Sequence, residues 1–153
     1  MTVLVRPAIA ADQHAILALA RGERVNPTGL HWPRFFVAEC DGALVGAVQM
    51  RLHHDGAHEL GTLVVASHAR NQGIAAQLIN ALLSRDRGRV FMVTGRKHAE
   101  HYARWGFAPI RPCQAPRAVS RSYWMGTCGG FLFAALQRRP RNRLVILDRA
   151  EAA

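Results

Sequence analysis

The chain predicts an α+β fold, and two stretches carry that prediction. Between residues 35 and 65, apolar and β-branched runs are separated by Asp41-Gly42 and by a histidine-rich turn, the pattern of an antiparallel meander. Between residues 59 and 83, the last strand of that meander leads through a tight basic turn into an amphipathic helix. Ile74, Leu78, Ile79, Leu82 and Leu83 fall on one face of it.

Residues 2–6 read as a first strand ended by Pro7, and a helix follows from Asp12 through Ile16, Leu17 and Leu19 to about Arg21. Gly22, Asn26-Pro27, Gly29 and Pro33 make residues 21–34 loop with at most a short helix, and Trp32 packs on the core edge. Strands at 35–40 and 43–52 are joined by Asp41-Gly42, a two-residue hairpin signal. The turn His53-His54-Asp55-Gly56-Ala57-His58 invites a metal site. One turn cannot easily close around zinc, so these are expected to be solvated turn residues. The strand at 59–65 ends in Leu63-Val64-Val65, and Gly73 opens a helix running to about Arg85.

Asp86-Arg87-Gly88 turns the chain into a strand at 89–94, broken by Gly95. A helix at 98–105 stops at Gly106, and a strand follows at 107–110. Residues 113–120 read as loop, and 121–136 as a helix interrupted by Gly126 and Gly129-Gly130. Its apolar segment from Tyr123 to Leu136 packs on the domain or on a second copy, which makes a homodimer an expectation. A basic linker at 138–143 leads to a last strand at 144–147.

At 153 residues, half of them hydrophobic, the chain suits a single domain over 1–153 with a substantial core. No stretch is long enough to span a bilayer, and the N-terminus lacks the pattern of a secretory signal. Cys40, Cys113 and Cys128 are widely spaced, without metal-ligand pairing, and suit a reducing cytoplasm. Twenty basic residues face ten acidic ones, a formal net charge of +10 that favours anionic ligands and argues against polyamine acceptors. Nucleic acid is not the expected partner, because no recognised binding motif accompanies the charge.

The junction between the central strand and its helix is where chemistry can sit. A helix N-terminus offers unpaired N–H groups and the positive end of the dipole, and Gly73 lets an anion approach the backbone. Arg70-Asn71-Gln72-Gly73-Ile74-Ala75 therefore reads as a pyrophosphate cradle, distinct from the dinucleotide fingerprint and from a P-loop. The plainer reading is an ordinary strand-to-helix turn in which Gly73 relieves backbone strain. That segment has the form Arg/Gln-x-x-Gly-x-Gly/Ala. One strand later comes Tyr102-Ala103-Arg104-Trp105-Gly106-Phe107, a Tyr-x-x-x-Gly-Phe segment. In this order the two motifs resemble the GNAT superfamily of acetyl-CoA-dependent N-acetyltransferases, over about residues 3–112 and again at 143–149.

The resemblance implies a GNAT-type acyl-CoA N-acyltransferase fold: a mixed, mainly antiparallel central sheet flanked by helices, with a less typical helical insertion at 111–142 before the last strand. It implies acetyl-CoA as co-substrate, with the backbone of Leu63, Val64 and Val65 pairing with the pantetheine arm. Backbone N–H groups of Gln72, Gly73, Ile74 and Ala75 would take the pyrophosphate, with Arg70 and Asn71 at its rim. Glu59 is the candidate general base and Tyr102 the candidate general acid. An exposed strand-end glutamate and a packing tyrosine are the alternatives, and ordered water can replace a dedicated base. His31 and Trp32 would lie on the acceptor side. The acceptor is a small-molecule or protein amine. The competing functions are the same fold with another acyl-CoA, and a non-catalytic basic module on nucleic acid or an anionic membrane surface.

Overall fold

A computed structural model describes residues 2–25, 29–86, 88–137 and 143–150, with backbone alone for 129–137. They fall into two compact units, Met1–Arg51 with Leu60–Arg87, and Leu52–Glu59 with Gly88–Ala153. Among the described residues, seven strands and four α-helices make up the expected α+β architecture.

β1 (Val3–Pro7), β2 (Phe35–Cys40), β3 (Ala43–Leu52) and β4 (His58–Val65), which apart from Leu52, His58 and Glu59 belong to the first unit, lie side by side in chain order. β1 runs antiparallel to β2, with Val3 opposite Cys40, and β2 antiparallel to β3, with Phe35 opposite Gln49. Asp41 and Gly42 both take positive φ, 50° and 79°, the backbone a two-residue hairpin turn demands. α1 (Gln13–Gly22) buries Ile16 and Ala20 in a core shared with Val37, Ala47 and Val64, and Trp32 packs against its edge as expected. α2 (Ile74–Arg85) buries Ile74, Leu78, Ile79, Leu82 and Leu83, the stripe its periodicity announces. Gly46 lets that helix come close to β3: a Cβ there would sit 3.0 Å from Leu78 and 3.1 Å from Ile74.

In the second unit, β7 (Leu144–Arg149) lies between β5 (Val90–Gly95) and β6 (Ala108–Ile110), antiparallel to both. Gly95 completes β5 rather than breaking it. α3 (Ala99–Tyr102) is flanked by 3-10 turns, and the second of them, Ala103–Trp105, ends at Gly106 with φ 83°, the stop the sequence predicts. Phe91, Val119, Ile146 and Ala57 form the core.

The stretch before the last strand departs from expectation. α4 runs unbroken from Arg117 to Gln137, so it starts inside the expected loop and passes through Gly126 and Gly129-Gly130. Packing explains one of the glycines, since a Cβ at Gly126 would lie 2.9 Å from a terminal methyl of Leu144 on β7. Of the expected basic linker, only Arg143 lies within the described residues. Among the described residues, no helix is long and apolar enough to cross a membrane.

Candidate functional site

β4 alternates from Leu60 onward, while Glu59 is buried beside Leu60 instead of sharing the partly exposed face of Gly61, Leu63 and Val65. Leu60, Thr62 and Val64 are buried, Val64 in the core, while Gly61, Leu63 and Val65 are partly exposed. The strand ends at Val65, and Ala66 N–H donates to Val45 O at 2.8 Å. A 3-10 turn at Ser67–Ala69 and two left-handed residues, Asn71 at φ 63° and Gly73 at φ 75°, then reverse the chain into α2. Gly73 is the N-cap, its C=O accepting from Gln77 N–H at 3.1 Å. The N–H groups of the first helical turn therefore lack intrahelical acceptors. Ile74 is buried, whereas Asn71, Gln72 and Gly73 are exposed and Ala75 is partly so. A Cβ added at Gly73 would meet nothing within 4 Å, so the backbone is open to approach. Exposed amides, helix polarity and a side-chain-free cap fit a diphosphate.

Arg70 is committed locally. Its guanidinium pairs with the Glu23 carboxylate, and its Nε donates to Val65 O at 3.2 Å. The other Glu23 oxygen accepts from Ser67 N–H at 2.7 Å. Glu23, just past α1, thus braces both ends of the turn. Nothing local in the sequence signals it.

Glu59 lies in the second unit and is 3% exposed, so the exposed strand-end alternative does not hold. Its Oε2 accepts from Ser122 Oγ at 3.3 Å and lies 2.6 Å from His53 Nε2. The 53–58 turn is correspondingly less solvated than expected. The His53 side chain is 16% exposed. Asp55 accepts from Ala57 N–H at 3.2 Å and from Ala118 N–H at 3.0 Å, in the first turn of α4. The Ala118 bond is the main cause holding the Asp55 carboxyl below its ordinary range, with desolvation opposing it. Among the described residues, no cluster of three His, Cys, Asp or Glu side chains is placed to hold a metal.

Tyr102, at the end of α3, is half-buried with its ring edge-on to Phe107 at 6.4 Å. Burial raises its phenol above the usual tyrosine range, while a hydrogen bond with Thr94 pulls the other way. The group is therefore a proton carrier at neutral pH.

Residues 31–109, just over half of the chain, match the family model for the acetyltransferase (GNAT) domain. None of the curated proteins matches. Among solved structures, the chain is similar to N-acetylglutamate synthase from Neisseria gonorrhoeae complexed with coenzyme A and N-acetyl-glutamate, at TM-score 0.76 and 22% identity over 100% of this chain and 36% of that one. The chain thus spans about a third of that protein's length. It is also similar to Rv2747 from Mycobacterium tuberculosis in complex with CoA, at TM-score 0.70 and 25% identity over 97% and 99% of the two chains. A third likeness is to the diaminobutyrate acetyltransferase EctA from Paenibacillus lautus, at TM-score 0.64 and 15% identity over 98% and 95%.

Proposed function

We propose, from the premise that this chain belongs to the GNAT acetyltransferase family, that it is a single-domain enzyme moving the acetyl group of acetyl-CoA directly onto a primary amine in a ternary complex. The observation that carries this reading is the left-handed, open glycine cap at Gly73 heading a twelve-residue helix. The N–H groups from Gln72 to Ala75 take the diphosphate, and the β4 backbone at Leu63–Val65 pairs with the pantetheine arm. The amine loses its proton to the Glu59 cluster, and Tyr102 gives a proton to the departing thiolate. The acceptor belongs to the amino acids. Support comes from the net charge of +10, which suits an acceptor carrying carboxylate, and from relatives described with N-acetyl-glutamate and with L-2,4-diaminobutyric acid.

The test has two parts. Calorimetry with acetyl-CoA compares wild type with Gly73→Glu, which sets a carboxylate against the diphosphate, and with Gly73→Asn, which tolerates positive φ. Gly73→Glu loses binding and Gly73→Asn keeps measurable affinity. Unchanged affinity in a folded Gly73→Glu protein refutes the cradle. CoA thiol release is then read with a panel of L-glutamate, L-glutamine, L-2,4-diaminobutyrate, spermidine and a lysine peptide. Preference for spermidine or the peptide overturns the acceptor class.

A further inference from the structure

We infer that the proton acceptor in the Glu59 cluster is His53, and that Glu59 is the buried carboxylate that orients it. The inference rests on the acetyltransferase reading above and reassigns one role within it. A carboxylate can only accept, so the 2.6 Å contact between His53 Nε2 and Glu59 Oε2 places the imidazole proton on Nε2. Nδ1 of the neutral ring then carries the free lone pair. Among the described residues it makes no hydrogen bond.

Burial separates the two groups in the same direction. The Glu59 side chain is 4% exposed and that of His53 is 16% exposed. Ser122 Oγ adds a second donor to the same Glu59 oxygen at 3.3 Å and helps fix its orientation. A carboxylate held by hydrogen bonds and largely removed from solvent is poorly placed to meet an incoming ammonium group. The more exposed imidazole is better placed. A buried carboxylate behind an imidazole fixes its tautomer and stabilises the cation formed when the ring takes a proton, the logic of a carboxylate–histidine pair.

The step balances. The ammonium N–H bond breaks, its electron pair stays on the amine nitrogen, and a new N–H bond forms at His53 Nδ1. The resulting imidazolium faces the Glu59 carboxylate through Nε2–H. The free amine attacks the thioester carbonyl, the C–S bond breaks with its electron pair leaving on sulfur, and the thiolate takes the Tyr102 proton. The second proton of the attacking nitrogen passes through solvent to restore the Tyr102 phenol, and the imidazolium returns its proton to water.

The test uses CoA thiol release with whichever panel amine wild type acetylates fastest. His53→Gln keeps an N–H for Glu59 Oε2 but offers no basic nitrogen, so it separates holding Glu59 from accepting a proton. The expected result is a fall in kcat of about 10²-fold, with the acetyl-CoA KM within about twofold of wild type and an unchanged melting temperature. In His53→Ala, added imidazole restores part of kcat. A His53→Gln protein with wild-type kcat overturns the inference. Glu59→Gln separates the remaining cases. If it loses kcat while His53→Gln does not, Glu59 is itself the base and the broader reading stands. If both variants keep wild-type kcat, this cluster is not the base in either form.

Discussion

The Tyr102 phenol is raised above its ordinary range chiefly by burial, and the bond with Thr94 offsets only part of that. It therefore keeps its proton throughout the physiological range, as a general acid for a thiolate must. Tyr102→Phe keeps the ring packing against Phe107 and removes only the donor. It is expected to lower kcat about 10²-fold and leave the acetyl-CoA KM nearly unchanged; equal kcat values in steady-state kinetics would remove Tyr102 from the mechanism. Asp12 makes stability, rather than rate, depend on one proton. Its carboxylate is held low first by the Arg6 guanidinium, at 2.6 Å and 3.1 Å, against the opposing effect of burial, with help from Ile9 N–H at 2.8 Å. A folded pKa below the ordinary 3.8 gives a contribution that is present above that value and lost as pH falls through the lower folded value. Urea midpoints measured from pH 6 down to pH 2 are expected to fall less steeply for Asp12→Asn than for wild type. Parallel curves would show that Arg6 and Asp12 contribute nothing to acid sensitivity.

At the scale of the element, the parts legible in the sequence are those set by neighbours along the chain. Asp41-Gly42 announces its hairpin because two adjacent residues must both adopt positive φ. The buried stripe of α2 follows directly from helical spacing. α4 is not legible in this way. Glycine propensity argues for breaks, and the packing of Gly126 beneath Leu144 cannot be seen from within the helix. Its start is equally remote, because Asp55 on the β3–β4 turn supplies the acceptor for Ala118 N–H. This is helix capping by a residue 63 positions away, chemically equivalent to a local cap. Asp55→Ala should therefore lower the melting temperature by about 2–4 °C, and Asp55→Asn, which keeps the acceptor oxygen, by less. The two variants melting together would mean that the charge, and not the hydrogen bond, holds α4 to the turn.

For the whole molecule, two motifs made the family legible, but they could not show how Arg70 is used. Its motif position suggests a free cation at the phosphate rim, yet its partner Glu23 lies 47 residues earlier and no periodicity connects them. That pairing changes what should grip the coenzyme. If the proposed cradle binds the coenzyme, then with Arg70 engaged the short-range hold falls mainly to backbone amides and the helix dipole, while the net charge of +10 acts at long range. Salt screens the second more than the first, since the Debye length is about 10 Å at 0.1 M. Raising NaCl from about 50 to 500 mM should slow acetyl-CoA association several-fold in stopped-flow mixing and change dissociation little. Glu23→Gln separates the two contributions. It removes the ion pair that braces the turn and adds one positive charge to the total, so association should be unchanged or faster while dissociation quickens. If dissociation slows instead, the Arg70 released from Glu23 has become a phosphate ligand, and the brace is an inhibitor of the grip rather than its support.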